Sequence, residues 1–176
     1  MKNTIVVSGV NEAPLLDCRV EVDDYVPLRF RSYHGTLGIK YLRLGNFSGS
    51  LLELLLDPES MTIRGFTLTS FDAVHQPKTL TSANLPMILG LPIVAFGNEA
   101  VFQGPVDAQR IDIDETFSVG FGTNFVEIDF GHLCEAQSVI KSGLAEFCVN
   151  MDFLVGLRVV GLNQQQMTML RAHKNA

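Results

Sequence analysis

Apolar and polar residues alternate with a period of two along much of the chain. In Thr62-Ile63-Arg64-Gly65-Phe66-Thr67-Leu68-Thr69, apolar Ile63, Phe66 and Leu68 are set among polar neighbours, the pattern of a half-buried β-strand. Gly65 breaks the period and marks a candidate bulge. Comparable segments run from Thr4 to Val10, Cys18 to Val22, Val26 to Ser32, Leu37 to Leu44, Phe47 to Leu56, Ile93 to Phe96, Arg110 to Phe121, Phe125 to Phe130, Ala145 to Val149 and Leu154 to Val160. Strands spaced so regularly, with turn residues between them, predict a mostly β fold: a β-sandwich or a partly open barrel of antiparallel strands.

Helical spacing is confined to two segments. Gln164 to His173 follows Asn163, a good N-cap, and brings Met167 and Leu170 to one side, so the spacing predicts a C-terminal helix braced on a sheet. A second short helix is expected from Glu135 to Lys141. The stretch from His75 to Leu91, with Pro77, Asn84 and Pro86, reads as a long loop. No linker-like stretch divides the chain, which is expected to form a single domain over residues 1–176.

A faint internal echo is present. Leu52-Glu53-Leu54-Leu55-Leu56-Asp57, followed by Ile63-Arg64-Gly65-Phe66-Thr67-Leu68, resembles Ala145-Glu146-Phe147-Cys148-Val149-Asn150, followed by Leu154-Val155-Gly156-Leu157-Arg158-Val159. Both read as strand, turn, strand, with Asp57 or Asn150 opening the turn through its own side chain. The second turn is the shorter.

Composition narrows the class. With 176 residues, 47% apolar and 18% charged, the chain can bury roughly 70% of its unfolded surface, which excludes a disordered or linker protein. The apolar runs Leu51 to Leu56 and Leu85 to Phe96 are short or broken by proline, so no helical membrane span is expected. Ile5-Val6-Val7 is too short for a signal peptide, and a cytoplasmic location is the expectation. Cys18, Cys134 and Cys148 form no close pair and read as reduced thiols. A net charge of −6 disfavours nucleic acid and anionic membranes as partners.

Few residues suggest chemistry. His34, His75, His132 and His173 are scattered, and the one tight ligand-type spacing, His132-Leu133-Cys134, lacks the second pair that a structural zinc site needs. Ser8-Gly9, Ser48-Gly49-Ser50 and Ser142-Gly143 fit no nucleophile elbow, and Cys148 lies in an apolar strand pattern where a thiol is unreactive. Gly120-Phe121-Gly122-Thr123 lacks the helix and lysine of a phosphate loop. No catalytic residue, metal or cofactor is expected.

The acidic residues carry more information. Arg110-Ile111-Asp112-Ile113-Asp114-Glu115 and Val126-Glu127-Ile128-Asp129-Phe130 both alternate acid with apolar side chain. If the two strands pair through the glycine turn near Gly122, then Asp112, Asp114, Glu115, Glu127 and Asp129 form one outward acidic face suited to a cationic partner. Glu21, Asp23 and Asp24, before Tyr25, form a second acidic group, of which Asp23 and Asp24 are candidate contacts.

The phrase Leu52-Glu53-Leu54-Leu55-Leu56-Asp57-Pro58-Glu59, continued by Ile63-Arg64-Gly65-Phe66-Thr67-Leu68, resembles small bacterial immunity proteins, including those paired with contact-dependent growth inhibition toxins. Val155-Gly156-Leu157-Arg158-Val159-Val160-Gly161-Leu162 has the same character. The resemblance covers about a fifth of the chain and is structural. It implies a cytosolic, non-enzymatic protein that binds and blocks a cognate toxin domain, such as a cationic nuclease. Two other classes remain open on the residues alone: a β-barrel carrier of a small molecule or lipid, and a small hydrolase using scattered carboxylates. The oligomeric state is not legible.

Overall fold

The computed structural model describes residues 5–12, 18–32, 38–77, 84–96, 102–104 and 109–173. Among these, the alternating segments form fifteen strands: β1 (Val6–Asn11), β2 (Cys18–Glu21), β3 (Leu28–Ser32), β4 (Lys40–Leu44), β5 (Leu51–Leu56), β6 (Ile63–Ser70), β7 (Val74–His75), β8 (Met87–Leu89), β9 (Leu91–Ala95), β10 (Arg110–Ile113), β11 (Ser118–Phe121), β12 (Phe125–Asp129), β13 (Ser138–Ser142), β14 (Ala145–Asn150) and β15 (Phe153–Val160). One helix, α1 (Gln164–Ala172), follows them.

The strands make two sheets and no closed barrel. A six-stranded sheet has the order β10-β4-β5-β6-β3-β2. A nine-stranded sheet runs β7-β11-β12-β15-β14-β13-β8, with β1 joined to both β15 and β9. Their inner faces share one apolar core, in which Phe147 of the larger sheet meets Phe30 and Phe66 of the smaller with ring centroids 6.2 and 6.3 Å apart. Edge-on contacts of this kind add to the area that the rings bury.

The hairpin echo is one part of a larger repeat. The order β4-β5-β6-β3-β2 recurs as β13-β14-β15-β12-β11, and a parallel strand, β10 or β8, edges each copy on the same side. The register agrees to the residue: Glu53 faces Thr67 and Leu55 faces Gly65, as Glu146 faces Arg158 and Cys148 faces Gly156. A bulge follows Leu55 in one copy and Cys148 in the other. The matching glycines have one cause. A Cβ at Gly65 would stand 2.4 Å from the Phe30 carbonyl and 3.2 Å from Arg31 Cδ, and one at Gly156 2.6 Å from the Ile128 carbonyl and 2.7 Å from Leu133. Each glycine lets a neighbouring side chain lie across the sheet.

The turns differ more. Asp57 Oδ1 accepts hydrogen bonds from the Glu59 and Ser60 amides, as expected of an Asx turn, whereas Asn150 Oδ1 accepts none and the shorter turn passes through Met151 at φ 52°. Strands β1 and β9 tie the two hairpins together. Val7 and Val94 are partners, Val7 N–H donates to the Asp152 carbonyl at 2.6 Å, and Val94 N–H donates to that of Met61 at 3.1 Å.

Helix α1 forms where its spacing predicts. Asn163 Oδ1 accepts from the Gln166 amide, the Gln166 side chain accepts from the Asn163 amide, and Met167 and Leu170 are buried. Four expectations fail. Residues 135–141 form a 3₁₀ turn at Leu133–Glu135 and then β13, because Val139 and Ile140 are buried opposite Cys148 and Phe147. The segment from Arg110 to Phe121 breaks into β10 and β11, which lie in different sheets. The 75–91 stretch contains the short strands β7 and β8, and its middle, like Thr4 and Leu37, lies outside the described residues. Finally, pairing is not wholly antiparallel: β10 with β4, β11 with β7 and β8 with β13 are parallel.

Candidate functional site

The expected acidic face does not assemble. Strand β10 pairs in parallel with β4 instead of forming a hairpin with β12, which puts Asp112 in the six-stranded sheet and Glu127 and Asp129 in the other. Asp112 is engaged by Arg43, whose Nε and Nη2 donate to its two carboxylate oxygens at 2.7 and 2.5 Å. That bidentate pair holds the Asp112 carboxyl below its usual range and raises the Arg43 guanidinium. Glu127 and Asp129 are buried, so neither can contribute to a surface. Asp129 Oδ1 accepts from the Gly131 and Leu133 amides and so fastens the 3₁₀ turn. Asp114 is exposed and Glu115 half-buried, both past the end of β10. Asp23 accepts from the Val26 and Tyr25 amides, which lower its carboxyl, and therefore shapes a turn; Asp24 beside it is exposed. His132 and Cys134 lie in the 3₁₀ turn region instead of on a strand, and His132 Nδ1 is 3.1 Å from Glu135 Oε1.

A buried ionic row in the nine-stranded sheet is absent from the sequence reading. Register aligns His75, Gly120, Glu127, Arg158, Glu146 and Lys141 across six strands. Arg158 lies 3.8 Å from Glu127 and 3.4 Å from Glu146 and stacks on Phe125 at 4.5 Å, and Lys141 is 3.4 Å from Glu146. At one end Ser118 Oγ is 2.9 Å from His75 Nδ1, and His75 Nε2 is 2.8 Å from Glu127 Oε1. Hydroxyl, imidazole and carboxylate in series could pass a proton, but Ser118 is paired with Asp129 within a regular ladder and no sharp turn presents its hydroxyl. The chain of bonds fastens two-residue β7 to the sheet. Gly120 makes it possible, since a Cβ there would sit 2.7 Å from His75 Nε2. In the same sheet burial pushes the Cys148 thiol up to about 12, so it stays protonated and inert, as its strand pattern implied.

The outward face of the six-stranded sheet is different in kind. One row across it reads Asp112, Arg43, Glu53, Thr67, Arg29, Glu21, with signs that alternate and Arg29 bonded to Glu21 at 3.1 Å. The next row reads Arg110, Tyr41, Leu55, Gly65, Arg31, Arg19 and contains no acid. Five of the chain's eight arginines thus share one face with three carboxylates. Arg31 lies across β6, donating to the Phe30 and Phe66 carbonyls and to Thr67 Oγ1, and burial together with Arg29 lowers its guanidinium. Arg19 and Arg110 are exposed. A shallow depression of about 170 Å³ opens between Tyr41, Arg43, Glu53 and Arg110. The equivalent of Gly65 in the other sheet, Gly156, is instead covered by Leu133, which is buried with Ala136, Cys148 and Val155.

The candidate strands beginning at Cys18, Val26, Leu37 and Arg110 contain Arg19, Arg29, Arg31, Arg43 and Arg110, but nothing in the sequence showed that these four separated segments lay the arginines on one face. No protein-family model matches the chain, and a search of curated proteins finds no match.

Proposed function

We propose that this protein acts by binding, as the immunity proteins it resembles do, and neutralises a cognate toxin domain by covering it with the outward face of the six-stranded sheet. The observation that carries the reading is this face itself: arginines and a tyrosine set in two rows on a hydrogen-bonded ladder, covered at Gly65 by the charged Arg31 where the repeat's other copy is covered by the apolar Leu133. Arginine and tyrosine are enriched where proteins meet, because each combines apolar area with directed hydrogen bonds. A sheet holds them in fixed relative positions, which lowers the entropy lost on binding. The acidic route to a cationic partner is dropped, since Glu127 and Asp129 are buried, Asp112 is paired with Arg43 and Asp23 shapes a turn, so the acids form no single face.

The test is site-specific photo-crosslinking in the native host, with a reactive residue at Arg29 on this face or at exposed Gln137 on the side that Leu133 covers. The expected result is a stoichiometric protein captured from Arg29 only, whose toxicity the intact chain suppresses. Capture from Gln137 alone, or a captured protein without toxicity, would overturn the proposal.

A further inference from the structure

We infer that two copies of this chain associate edge to edge through β8, about a two-fold axis at Ile88, so that their nine-stranded sheets run on into each other. This goes beyond the binding reading above and does not rest on it. The repeat supplies an internal comparison. Its register makes Met87, Ile88 and Leu89, paired with β13, the counterparts of Arg110, Ile111 and Asp112, paired with β4. Ile111 is 8% exposed and part of the core, and the residues on either side of it are charged. Ile88 is 43% exposed, and Met87 and Leu89 beside it are exposed as well. The row that Ile88 ends, through Ile140, Phe147, Leu157, Ile128 and Val119, is otherwise buried throughout. One apolar row of the core thus runs out to the edge of the sheet and stops there uncovered.

The edge is open in its backbone too. Val139 N–H donates to the Pro86 carbonyl at 2.9 Å and Gly90 N–H to that of Lys141 at 3.0 Å, so alternate residues of this segment face β13. Ile88 is one of them, and the N–H and C=O groups of Met87 and Leu89 therefore point away from β13. Among the described residues no strand pairs with that side. A two-fold axis at Ile88 sets Met87 against Leu89 of the second copy, where they exchange both N–H···O bonds, and sets the two Ile88 side chains together in the close, non-hydrogen-bonded position. Each Ile88 then covers the other, and the apolar rows of the two copies become continuous. The occupant is a second copy because the strand is complementary to itself: it holds no charge to repel its own image, and the symmetry closes at two. The remaining edges are blunted against added strands, since β2 carries Arg19 and Glu21, β10 carries Arg110 and Asp112, and β7 is two residues long.

The experiment is sedimentation velocity on the intact purified protein over about 10 µM to 1 mM, a range suited to so short an edge. Wild type should pass from monomer to dimer and no further, and I88K/L89K should stay monomeric throughout. Both substituted positions are exposed, and circular dichroism checks that the double variant is folded. Register is tested with single introduced cysteines after the exposed Cys134 is replaced by serine. I88C sets two Cα atoms about 4.5 Å apart, within disulfide reach, and should give a covalent dimer under mild oxidation, whereas M87C sets them about 9 Å apart and should not. A wild type that stays monomeric over the whole range, species larger than the dimer, a dimer that I88K/L89K leaves intact, or M87C linking as readily as I88C would overturn the inference.

Discussion

Asp112 and Glu127 carry the same charge and occupy the same phase of alternating segments, yet the first side chain is 42% exposed and the second fully buried. Alternation reports which face of a strand a residue is on; it does not report whether that face meets water. Glu127 is enclosed by His75 and Arg158, which come from segments far away in sequence, and no local pattern announces them. Cys148 could be read because its neighbours in sequence are themselves apolar. Its thiol has a testable consequence. With the folded value raised from 9.0 to about 12, the folded state keeps a proton that the unfolded state releases, so the thiol's contribution is whole below pH 9 and is lost as pH rises toward 12. Urea titrations of wild type and Cys148→Ala across that window should show wild type losing stability relative to the variant. A constant difference between them would contradict the burial.

At the scale of elements, α1 was legible in full because its signals are local: a cap residue, a residue three positions later that returns the bond, and two apolar residues one turn apart. Asn163→Ala removes that cap and should cost about 1 kcal/mol in chemical denaturation, whereas Gln165→Ala, at an exposed position, should cost almost nothing. Residues 135–141 misled because a single polar-apolar cycle satisfies both periods. Its partner strand β14 decides the outcome, by placing Phe147 and Cys148 opposite Ile140 and Val139. Strands β7 and β8 are two and three residues long and owe their form to pairing with β11 and β13, so they carry no period of their own.

For the whole molecule, the sequence exposed the repeat only where side chains happen to match, at β5–β6 and β14–β15. Strands β2 and β3 share almost no residues with β11 and β12, because what the repeat preserves is register and the size of the space on each side. Glu53 and Glu146 are kept, while Thr67 and Arg158, or Arg31 and Asp129, have diverged, so that a charged side chain, Arg31, covers one outward face at Gly65 and an apolar one, Leu133, covers the other at Gly156. The two sheets nevertheless share one core through Phe30, Phe66 and Phe147, and β1 with β9 bridges their hairpins. Unfolding should therefore be a single cooperative event, with near- and far-ultraviolet circular dichroism transitions coincident; two separate transitions would show that the halves fold apart.

The strand order also sets a timetable for synthesis. Five of the six strands of the smaller sheet are complete by Ser70, but the ring that closes over Phe30 and Phe66 arrives only with Phe147. At about 5–20 residues per second, the ribosome leaves that apolar surface without its cover for roughly 4–16 s. The nascent first half thus holds its leucine-rich inner face without that cover until the second half emerges.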